Sequence, residues 1–267
     1  MLRLHGATYR YPGAGHDTLH GIELELAEGT VTGLVGAAEA GKTTLCLVAG
    51  GLAPRVSGGR LVGNMTIDGA DVRDWPMHQL AEHVVTGLQD PGGQLSLIAD
   101  TVLDEVAFGP ANLGLPLDDV LERSHGALAL TGIEHLAERD PARLSGGEQQ
   151  LVVLAGLLAM RSRYLILDEP LAHLDATGAR LVIAAIRAAA DAGSAVLLAE
   201  QRVAELAAVA DSVLVMAVGN IVLRGAADDV LADPATHTLG VAEPPEVALR
   251  RRLTEAGLDP ALVEVPA

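Results

Sequence analysis

Residues 30–51 read "TVTGLVGAAEAGKTTLCLVAGG", and this stretch decides the fold of the 267-residue chain. Its first seven residues form an apolar run typical of a buried strand, and residues 43–52 read as a helix that Gly50 and Gly51 end. Between them, residues 36–43 match G-x-x-x-x-G-K-[ST], in the strand–loop–helix context that this phosphate-loop motif requires. The stretch therefore predicts an α/β core that binds a nucleotide through its phosphates.

Lys42 is the only lysine in the chain. The rest of the 18 basic residues are arginine. A compact ammonium group reaches the β- and γ-phosphates inside a narrow loop that the planar fork of arginine would not fit. Loop N–H groups and the helix N-terminus hold the other phosphate oxygens, and the Thr43 hydroxyl is the expected ligand of Mg²⁺. The predicted ATP-binding residues here are Gly36, Ala37, Ala38, Glu39, Ala40, Gly41, Lys42, Thr43 and Thr44.

The composition restricts the function. The 35 acidic and 18 basic residues give a net charge of −17, which disfavours binding to nucleic acid or to an anionic membrane surface. The longest apolar run, residues 151–160, is far shorter than the roughly 20 residues of a membrane span, and the first residues lack a signal-peptide pattern. The single cysteine, Cys46, reads as a buried small hydrophobe in a reducing compartment. These features predict a soluble, cytoplasmic protein.

Beyond the loop, apolar strands alternate with helices, which favours a parallel sheet covered on both faces. The predicted strands are 2–11, 22–26, 30–36, 61–67, 164–168, 195–199, 212–216 and 220–223. The predicted helices are 101–112, 117–130, 146–160, 176–191 and 202–209. Helices broken by Gly and Pro occupy about residues 90–160, which we interpret as an insertion into the α/β core.

Residues 164–170 read "YLILDEP" and place Asp168 and Glu169 at the carboxyl end of a buried strand. Asp168 suits a contact to Mg²⁺, and Glu169 suits polarising the water that attacks a phosphate. Without other evidence, an Asp-Glu pair after an apolar strand is as often a pair of acidic residues at the start of a helix as a catalytic pair. Downstream of a phosphate loop, the catalytic interpretation is favoured.

Residues 144–150 read "LSGGEQQ" and begin a helix. Ser145 and Glu148 have the spacing of a capping box, which explains them without any function. Gly146 and Gly147 weaken a helix in its first turn, so capping alone does not explain them. Two glycines without side chains would let a phosphate approach the backbone.

With both motifs in this order, the chain resembles the ABC transporter ATPases, whose signature is "LSGGEQQ". The resemblance implies a P-loop NTPase (RecA-like) α/β core with a parallel sheet, a small antiparallel β subdomain and an inserted α-helical subdomain. The implied ABC-type ATP-binding domain covers residues 1–235, with its helical subdomain at about 90–160. Residues 236–267 then form a C-terminal helical extension.

The same resemblance implies roles for further residues. Tyr11 matches the aromatic residue that stacks on adenine, Gln89 the glutamine that senses Mg²⁺ and the γ-phosphate, and Asp175 the D-loop aspartate at a dimer seam. Two ATPase units of this family close head to tail, so a second ABC ATPase subunit, identical or different, is expected. Each ATP lies between one unit's phosphate loop and the other unit's signature, which here is Ser145, Gly146, Gly147 and Glu148.

Residues 90–95 ("DPGGQL") and 101–116 ("TVLDEVAFGPANLGLP") are similar to the ATPase subunit of energy-coupling-factor (ECF) transporters, which import vitamins or transition-metal ions. The similarity implies a transmembrane coupling subunit and a membrane substrate-binding subunit, with this chain peripheral on the inner face of the membrane. Phe108, the only phenylalanine, lies where the family receives the membrane subunit. A core aromatic of the helical subdomain is an equally good interpretation of Phe108.

The sequence departs from the family at residues 195–206, "AVLLAEQRVAEL", where Gln201 stands in place of the switch histidine. Glutamine donates a neutral hydrogen bond but carries no charge and relays no proton. We therefore expect Gln201 to be part of a catalytic site that binds ATP and turns it over slowly. Glu39 replaces a usual glycine and is expected to face solvent. Leu151 stands where the family usually has arginine or lysine after the signature, and the sequence indicates no consequence of this difference.

Two other functions stay open. A nucleotide-gated regulatory subunit, paired with an active ATPase, is suggested by Gln201, whereas Glu169 argues against a complete loss of activity. An ABC ATPase acting on DNA would carry a long coiled coil between Lys42 and Ser145, where no heptad pattern occurs. The histidines show no metal-site spacing, so the expected cofactors are ATP and its Mg²⁺. The cargo is not encoded in these motifs.

Overall fold

The computed structural model describes residues 1–96 and 98–259, and it contains two β-sheets. The strands are β1 (Leu2–Arg10), β2 (Leu19–Leu26), β3 (Val31–Gly36), β4 (Arg60–Ile67), β5 (Ala70–Asp71), β6 (Val84–Gly87), β7 (Tyr164–Asp168), β8 (Ala195–Ala199), β9 (Ser212–Ala217) and β10 (Asn220–Ala226). The helices are α1 (Lys42–Ala49), α2 (Met77–Ala81), α3 (Val102–Asn112), α4 (Leu117–Thr131), α5 (Gly146–Ala159), α6 (Ala176–Asp191), α7 (Val203–Ala207), α8 (Ala227–Ala232), α9 (Pro234–Thr238) and α10 (Pro245–Glu255).

The central sheet has six strands in the order β10-β9-β3-β8-β7-β6, and all are parallel except β10. Every residue of β7 and of β8 is buried, because helices and the second sheet cover both faces. The pairing of Asp168 with Ala199 ends these two strands level with each other. The residues that follow them, Glu169 and Glu200, therefore start at the same edge as the phosphate loop after β3.

A second, antiparallel sheet has the order β2-β1-β4-β5, which confirms the small antiparallel subdomain that the resemblance implies. Its inward side chains form one apolar cluster with α1 and with the facing side of the central sheet. Cys46 of α1 is fully buried in this cluster, and burial raises the pKa of its thiol well above the ordinary value. The thiol is therefore a packing group.

Helices α3, α4 and α5 form the inserted helical subdomain, and their apolar faces belong to a second cluster that reaches the other side of the central sheet. Phe108 lies outside this core with 41% of its surface exposed, so its interpretation as a core aromatic is wrong. Among the described residues, no helix combines the length and the apolar character needed to cross a bilayer.

Most predicted elements agree with the structure within two residues, but several short ones escaped prediction. The strand β6 has only four residues, and its sequence "VVTG" lies between polar segments that read as a loop. It matters for the site because it ends two residues before Gln89. The other unpredicted elements are β5, α2, α8 and α9. Helix α9 crosses the proposed domain boundary at residue 235, and residues 260–267 of the proposed extension lie outside the described part.

Candidate nucleotide-binding site

The phosphate loop connects β3 directly to α1, as the sequence predicts. A Cβ at Gly36 would lie 2.4 Å from the carbonyl oxygen of Met216, so the loop leaves β3 where only glycine fits. Glu39 adopts a left-handed conformation with φ +63°, which is costly for a residue with a side chain. This backbone is the reason for the family's glycine at the position. The Glu39 side chain is exposed, as expected.

Lys42 is 6% exposed, and its ammonium group points back onto the loop. Its Nζ donates hydrogen bonds to the carbonyl oxygens of Gly36 at 2.9 Å and Ala37 at 3.0 Å. Within the described residues it forms no ion pair with a carboxylate. A buried cation is normally paired with an anion, and Lys42 has none among the described residues. A phosphate group would supply that anionic partner.

Asp168 is 1% exposed, and within the described part of the chain neither of its carboxylate oxygens has a hydrogen-bond partner. Burial raises the pKa of this carboxyl, the neighbouring Thr43 hydroxyl lowers it, and the Glu169 charge raises it further. Oxygen donors without partners are what Mg²⁺ takes up, usually together with phosphate oxygens and water. Asp168 and Thr43 therefore fit a Mg²⁺ ion that arrives with a nucleotide. No cluster of three His, Cys, Asp or Glu side chains in the described residues could bind a metal by itself.

The carboxylate of Glu169 is held between two amides from distant parts of the chain. Its Oε1 accepts a hydrogen bond from Nε2 of Gln201 at 2.6 Å, and its Oε2 accepts one from Nε2 of Gln89 at 3.1 Å. Its backbone has φ +52° and donates to the carbonyl oxygen of Ala199 at 2.8 Å. The structure thus brings three predicted site residues together and orients both carboxylate oxygens.

These groups surround one cavity of about 370 Å³. Most of the phosphate loop, Gln89, Glu169 and Gln201 line it, together with Thr18, which the sequence did not single out. A larger groove of about 650 Å³ lies between α8, α9 and α10 and contains none of the predicted site residues. The chemistry converges on the smaller cavity, where Lys42 contributes an ammonium group and Glu169 an oriented carboxylate. Asp168 lies behind this lining, next to Thr43.

The signature residues lie elsewhere on the surface, at the start of α5. Ser145 and Glu148 form the capping box: Ser145 Oγ accepts from Glu148 N at 3.3 Å, and Glu148 Oε2 accepts from Ser145 N at 2.8 Å. Hydrogen bonds from Ser145 lower the pKa of Glu148. A Cβ at Gly147 would lie 3.0 Å from the carbonyl oxygen of His173, whereas one at Gly146 would meet open space. Local packing therefore accounts for Gly147 but not for Gly146.

Comparison with known proteins decides the family. Residues 19–172 match the family model described as ABC transporter. The chain belongs to the ABC transporter ATP-binding family. Membership implies an ATP-binding subunit, and it agrees with the fold described above.

Three ABC relatives illustrate the match. A candidate ABC transporter ATP-binding protein of Streptomyces coelicolor is 37% identical over 94% of this chain and 44% of its own length. One of Pyrococcus horikoshii is 33% identical over 97% of this chain and 91% of its own length. The structure of cbiO1 from Clostridium perfringens, part of the ABC transporter complex cbiONQ, has 28% identity and a TM-score of 0.76 over 99% and 98% of the two chains. The chain thus spans less than half the length of several relatives that it matches.

Two ABC residues from the sequence analysis lie beside the cavity or at the surface. The Tyr11 hydroxyl shares a hydrogen bond of 3.1 Å with the hydroxyl of Thr44, and its ring stands edge-on to Tyr9 at 4.9 Å. Asp175 caps α6, because its Oδ1 accepts from Gly178 N at 2.7 Å, and its side chain is exposed. Adenine stacking by Tyr11 and a seam role of Asp175 stay predictions.

The structure also contains a functional candidate that the sequence analysis missed. Glu200 follows β8, is 2% exposed and accepts three backbone hydrogen bonds. Burial raises the pKa of its carboxyl to about 7. The signal was present in the sequence, as an acidic residue placed directly after a fully apolar strand. It was overlooked because nothing local shows whether such a residue turns inward.

Proposed function

We propose that the chain is the ATP-hydrolysing motor of an ECF-type ABC importer that takes up a micronutrient, either a vitamin or a transition-metal ion. The geometry around Glu169 carries the proposal, since a carboxylate aligned by Gln89 and Gln201 faces the cavity that Lys42 closes. The similarity to cbiO1, part of an ABC transporter complex, supports the transport role.

The residues in and beside the cavity receive the following roles in the proposed ATP hydrolysis. Lys42 and the loop N–H groups bind the phosphates, and Tyr11 stacks on the adenine. Thr43, Asp168 and Gln89 hold Mg²⁺, which supplies positive charge where the phosphate oxygens become more negative. Glu169 accepts a hydrogen bond from the attacking water and orients it.

The presence of glutamine at position 201 is an argument for slow ATP hydrolysis by this chain. Its amide is engaged with Glu169 at 2.6 Å, and a neutral amide places no charge on the γ-phosphate. The same observation favours a second function, a nucleotide-gated regulatory subunit that closes on ATP while a partner ATPase supplies most of the hydrolysis. The two functions differ in whether the chain itself hydrolyses ATP in the closed assembly.

A second ATPase subunit completes the site in this proposal. Ser145 and Gly146 are exposed at the start of α5, and the N-terminus of a helix suits a phosphate brought by a partner's loop. The signature residues do not line the chain's own cavity. Head-to-tail closure of two subunits would bring each signature onto the partner's ATP.

A groove of about 460 Å³ between β6, α3 and α5 is the proposed docking site of the membrane subunit. Half-exposed Phe108 lines it together with Leu157 and Met160, which gives an apolar surface for a helix of the partner. Docking there places the chain at the inner face of the membrane.

The groove is connected to the catalytic carboxylate by hydrogen bonds. Gln94 lines the groove, accepts from Leu88 N at 2.6 Å and donates to the carbonyl oxygen of Thr86 at 2.9 Å. Leu88 immediately precedes Gln89, whose amide holds Glu169, and Thr86 lies three residues before Gln89. Movement of a helix in the groove would therefore displace Gln89 and change the orientation of Glu169.

Calorimetry with Mg²⁺–ATP and the full chain tests the proposal. Lys42→Ala should weaken ATP binding by about 100-fold or more, because the mutation removes the buried cation that reaches the phosphates. Arg224→Ala is the matched control, since it removes an exposed cation on β10, and it should bind like the unmodified chain. Absence of binding by the unmodified chain, even with a partner ATPase present, would contradict the proposed function.

Steady-state hydrolysis separates the motor from the regulatory subunit. In the assembly with a partner ATPase, Glu169→Gln in this chain should reduce turnover strongly if the chain is a motor. Unchanged turnover, with ATP binding retained, would favour the regulatory function.

A further inference from the structure

Glu200 is a buried carboxylate to which the proposed reaction assigns no role. Its Oε1 accepts a hydrogen bond from Leu171 N at 2.8 Å. Its Oε2 accepts from the N–H groups of Gln201 at 3.1 Å and Arg202 at 3.3 Å. Burying a carboxylate is costly, and three N–H donors directed at one side chain offset that cost only if all of them stay in place. The side chain therefore joins two segments that are about 30 residues apart in sequence.

Arg202 contacts the same segment as a hydrogen-bond donor, whereas Glu200 contacts it as an acceptor. Its Nη1 donates to the carbonyl oxygens of Leu171 at 3.4 Å and Leu174 at 3.3 Å, while its Nη2 pairs with Glu205. Both backbone polar groups of Leu171 are thus bound by side chains from the loop after β8. We call Glu200 and Arg202 the clasp.

The clasp connects Gln201, which donates to the Glu169 carboxylate, with residues 171–174, which follow Glu169 in the chain. Residues 171–174 lead from Glu169 to Asp175, the exposed residue at the start of α6. Gln201 stands between the two clasp residues in sequence, and its amide donates to Glu169 at 2.6 Å. A displacement at Asp175 would consequently reach Glu169 by two routes, one through the backbone and one through the clasp and Gln201.

We propose that Glu200 is a positioning residue that holds Gln201 and residues 171–174 as one unit, so that closure at the Asp175 surface orients the Glu169 carboxylate. This inference rests on the proposed ATPase function, and it deepens it by naming the connection between the dimer surface and the catalytic residue. In this role, Glu200 contacts neither Lys42 nor the water that attacks the phosphate. It acts through Gln201.

Glu200→Gln is the first test, measured as ATP hydrolysis by the full chain with its partner ATPase. The amide keeps one acceptor oxygen but turns an NH₂ group toward backbone donors, so the clasp opens on one side. We expect kcat to fall about tenfold, with KM for ATP within twofold of the unmodified chain. A kcat within twofold of the unmodified chain, or a loss of ATP affinity equal to the loss of kcat, would overturn the inference.

Asp211→Asn is the matched control for this substitution. Asp211 also accepts from a backbone N–H, that of Val31 at 2.7 Å, but it directly precedes β9, beside the start of β3 and at the opposite edge of the sheet from the cavity. Unlike Glu200, its carboxylate is exposed and also pairs with Arg187. The same change from carboxylate to amide should leave kcat unchanged there. An equal loss of kcat in both variants would indicate a general effect on folding and would reject a positioning role.

A double-mutant cycle distinguishes positioning from mere stabilisation. If Glu200 acts through Gln201, then Glu200→Gln should change kcat by less than twofold in a Gln201→Ala background, because the group that it positions is already absent. Independent tenfold losses that multiply would contradict the proposed route.

Amide hydrogen exchange provides a readout that does not depend on turnover. Glu200→Gln should accelerate exchange at the N–H groups of Leu171, Gln201 and Arg202 by about tenfold, with little change at α4. If this variant does not fold, Arg202→Met opens the clasp from its other side and should accelerate exchange in residues 171–175. Unchanged exchange in a folded variant would overturn the clasp. Failure of the ATPase proposal, by contrast, would already be visible in the unmodified chain.

Discussion

Gln201 is the residue that we propose to limit the rate of ATP hydrolysis at this site. Its amide orients Glu169 but cannot carry the positive charge that a histidine would place near the γ-phosphate. We predict that Gln201→His raises kcat by about tenfold at saturating Mg²⁺–ATP, which corresponds to about 1.4 kcal/mol of barrier. Gln201→Ala should lower kcat instead, because it leaves Oε1 of Glu169 without its donor. A histidine variant no faster than the unmodified chain would indicate that orientation of Glu169, and not charge, limits turnover.

Glu200 makes a second prediction at the residue scale, for stability against pH. Its pKa is about 7 in the folded protein, against an ordinary value of 4.5, because burial outweighs three backbone hydrogen bonds. The folded state binds the proton more tightly, so this group's contribution to stability is full below pH 4.5 and is lost as pH rises toward 7.

The free energy of unfolding from urea titrations between pH 4.5 and 8 measures this effect. Across that range, the unmodified chain should lose up to about 3 kcal/mol relative to Glu200→Gln, which has no carboxyl to titrate. Parallel pH profiles of the two proteins would show that Glu200 does not titrate in this window.

At the scale of elements, the end of α9 lies against the phosphate loop. Gly240 has φ +83°, and a Cβ there would lie 3.1 Å from Cβ of Ala37. Gly240→Ala should destabilise the fold by about 1 kcal/mol and also weaken ATP binding, because the loop must shift to admit the methyl group. Gly257→Ala is the matched control, since Gly257 has φ +72° but open space around it. It should lose similar stability and keep its ATP affinity, as thermal unfolding and calorimetry would show. Equal affinities for the two variants would contradict a loop contact that matters for binding.

The signature turn at α5 offers a comparable pair. Gly147→Ala should destabilise the fold, because its methyl group would lie 3.0 Å from the His173 carbonyl oxygen, whereas Gly146→Ala meets open space and should even stabilise α5 slightly. If a partner's ATP binds against these glycines, Gly146→Ala should nevertheless lower the ATPase rate of the assembly. A stable Gly146→Ala variant with an unchanged rate would contradict phosphate contact at this residue.

At the scale of the whole molecule, the central question is whether ATP joins two subunits. The cavity contains the proposed binding and catalytic groups, while Ser145 and Gly146 of the signature lie exposed on another part of the surface. We predict that Glu169→Gln binds ATP without hydrolysing it and shifts from monomer to dimer in light scattering when Mg²⁺–ATP is added. Adding Ser145→Arg should abolish the shift, because a bulky side chain would block the partner's phosphates. A Glu169→Gln protein that stays monomeric with ATP, alone and with a partner ATPase, would contradict the dimer.

Local sequence determined the elements around the site. The motif at 36–43, the apolar segments 164–168 and 195–199 and the amphipathic helix 176–191 each carry their own periodicity, and three of their predicted ranges agree with the structure to the residue. Strand β6 escaped because four residues are too few to show a pattern. The inward turn of Glu200 escaped because its hydrogen-bond donors include Leu171, 29 residues earlier in the chain.

What the sequence determined by itself is therefore the phosphate loop, the acidic pair after β7 and the capping box of α5, because each depends on neighbours within a few residues. Only the tertiary structure decided that Gln89 and Gln201 meet at Glu169, 80 and 32 residues from it. Only the tertiary structure left Phe108 exposed and Asp168 without a hydrogen-bond partner among residues 1–96 and 98–259. The physical reason is that the register of β6, β7 and β8 sets these distances, and register is fixed by burial of both sheet faces across the whole fold.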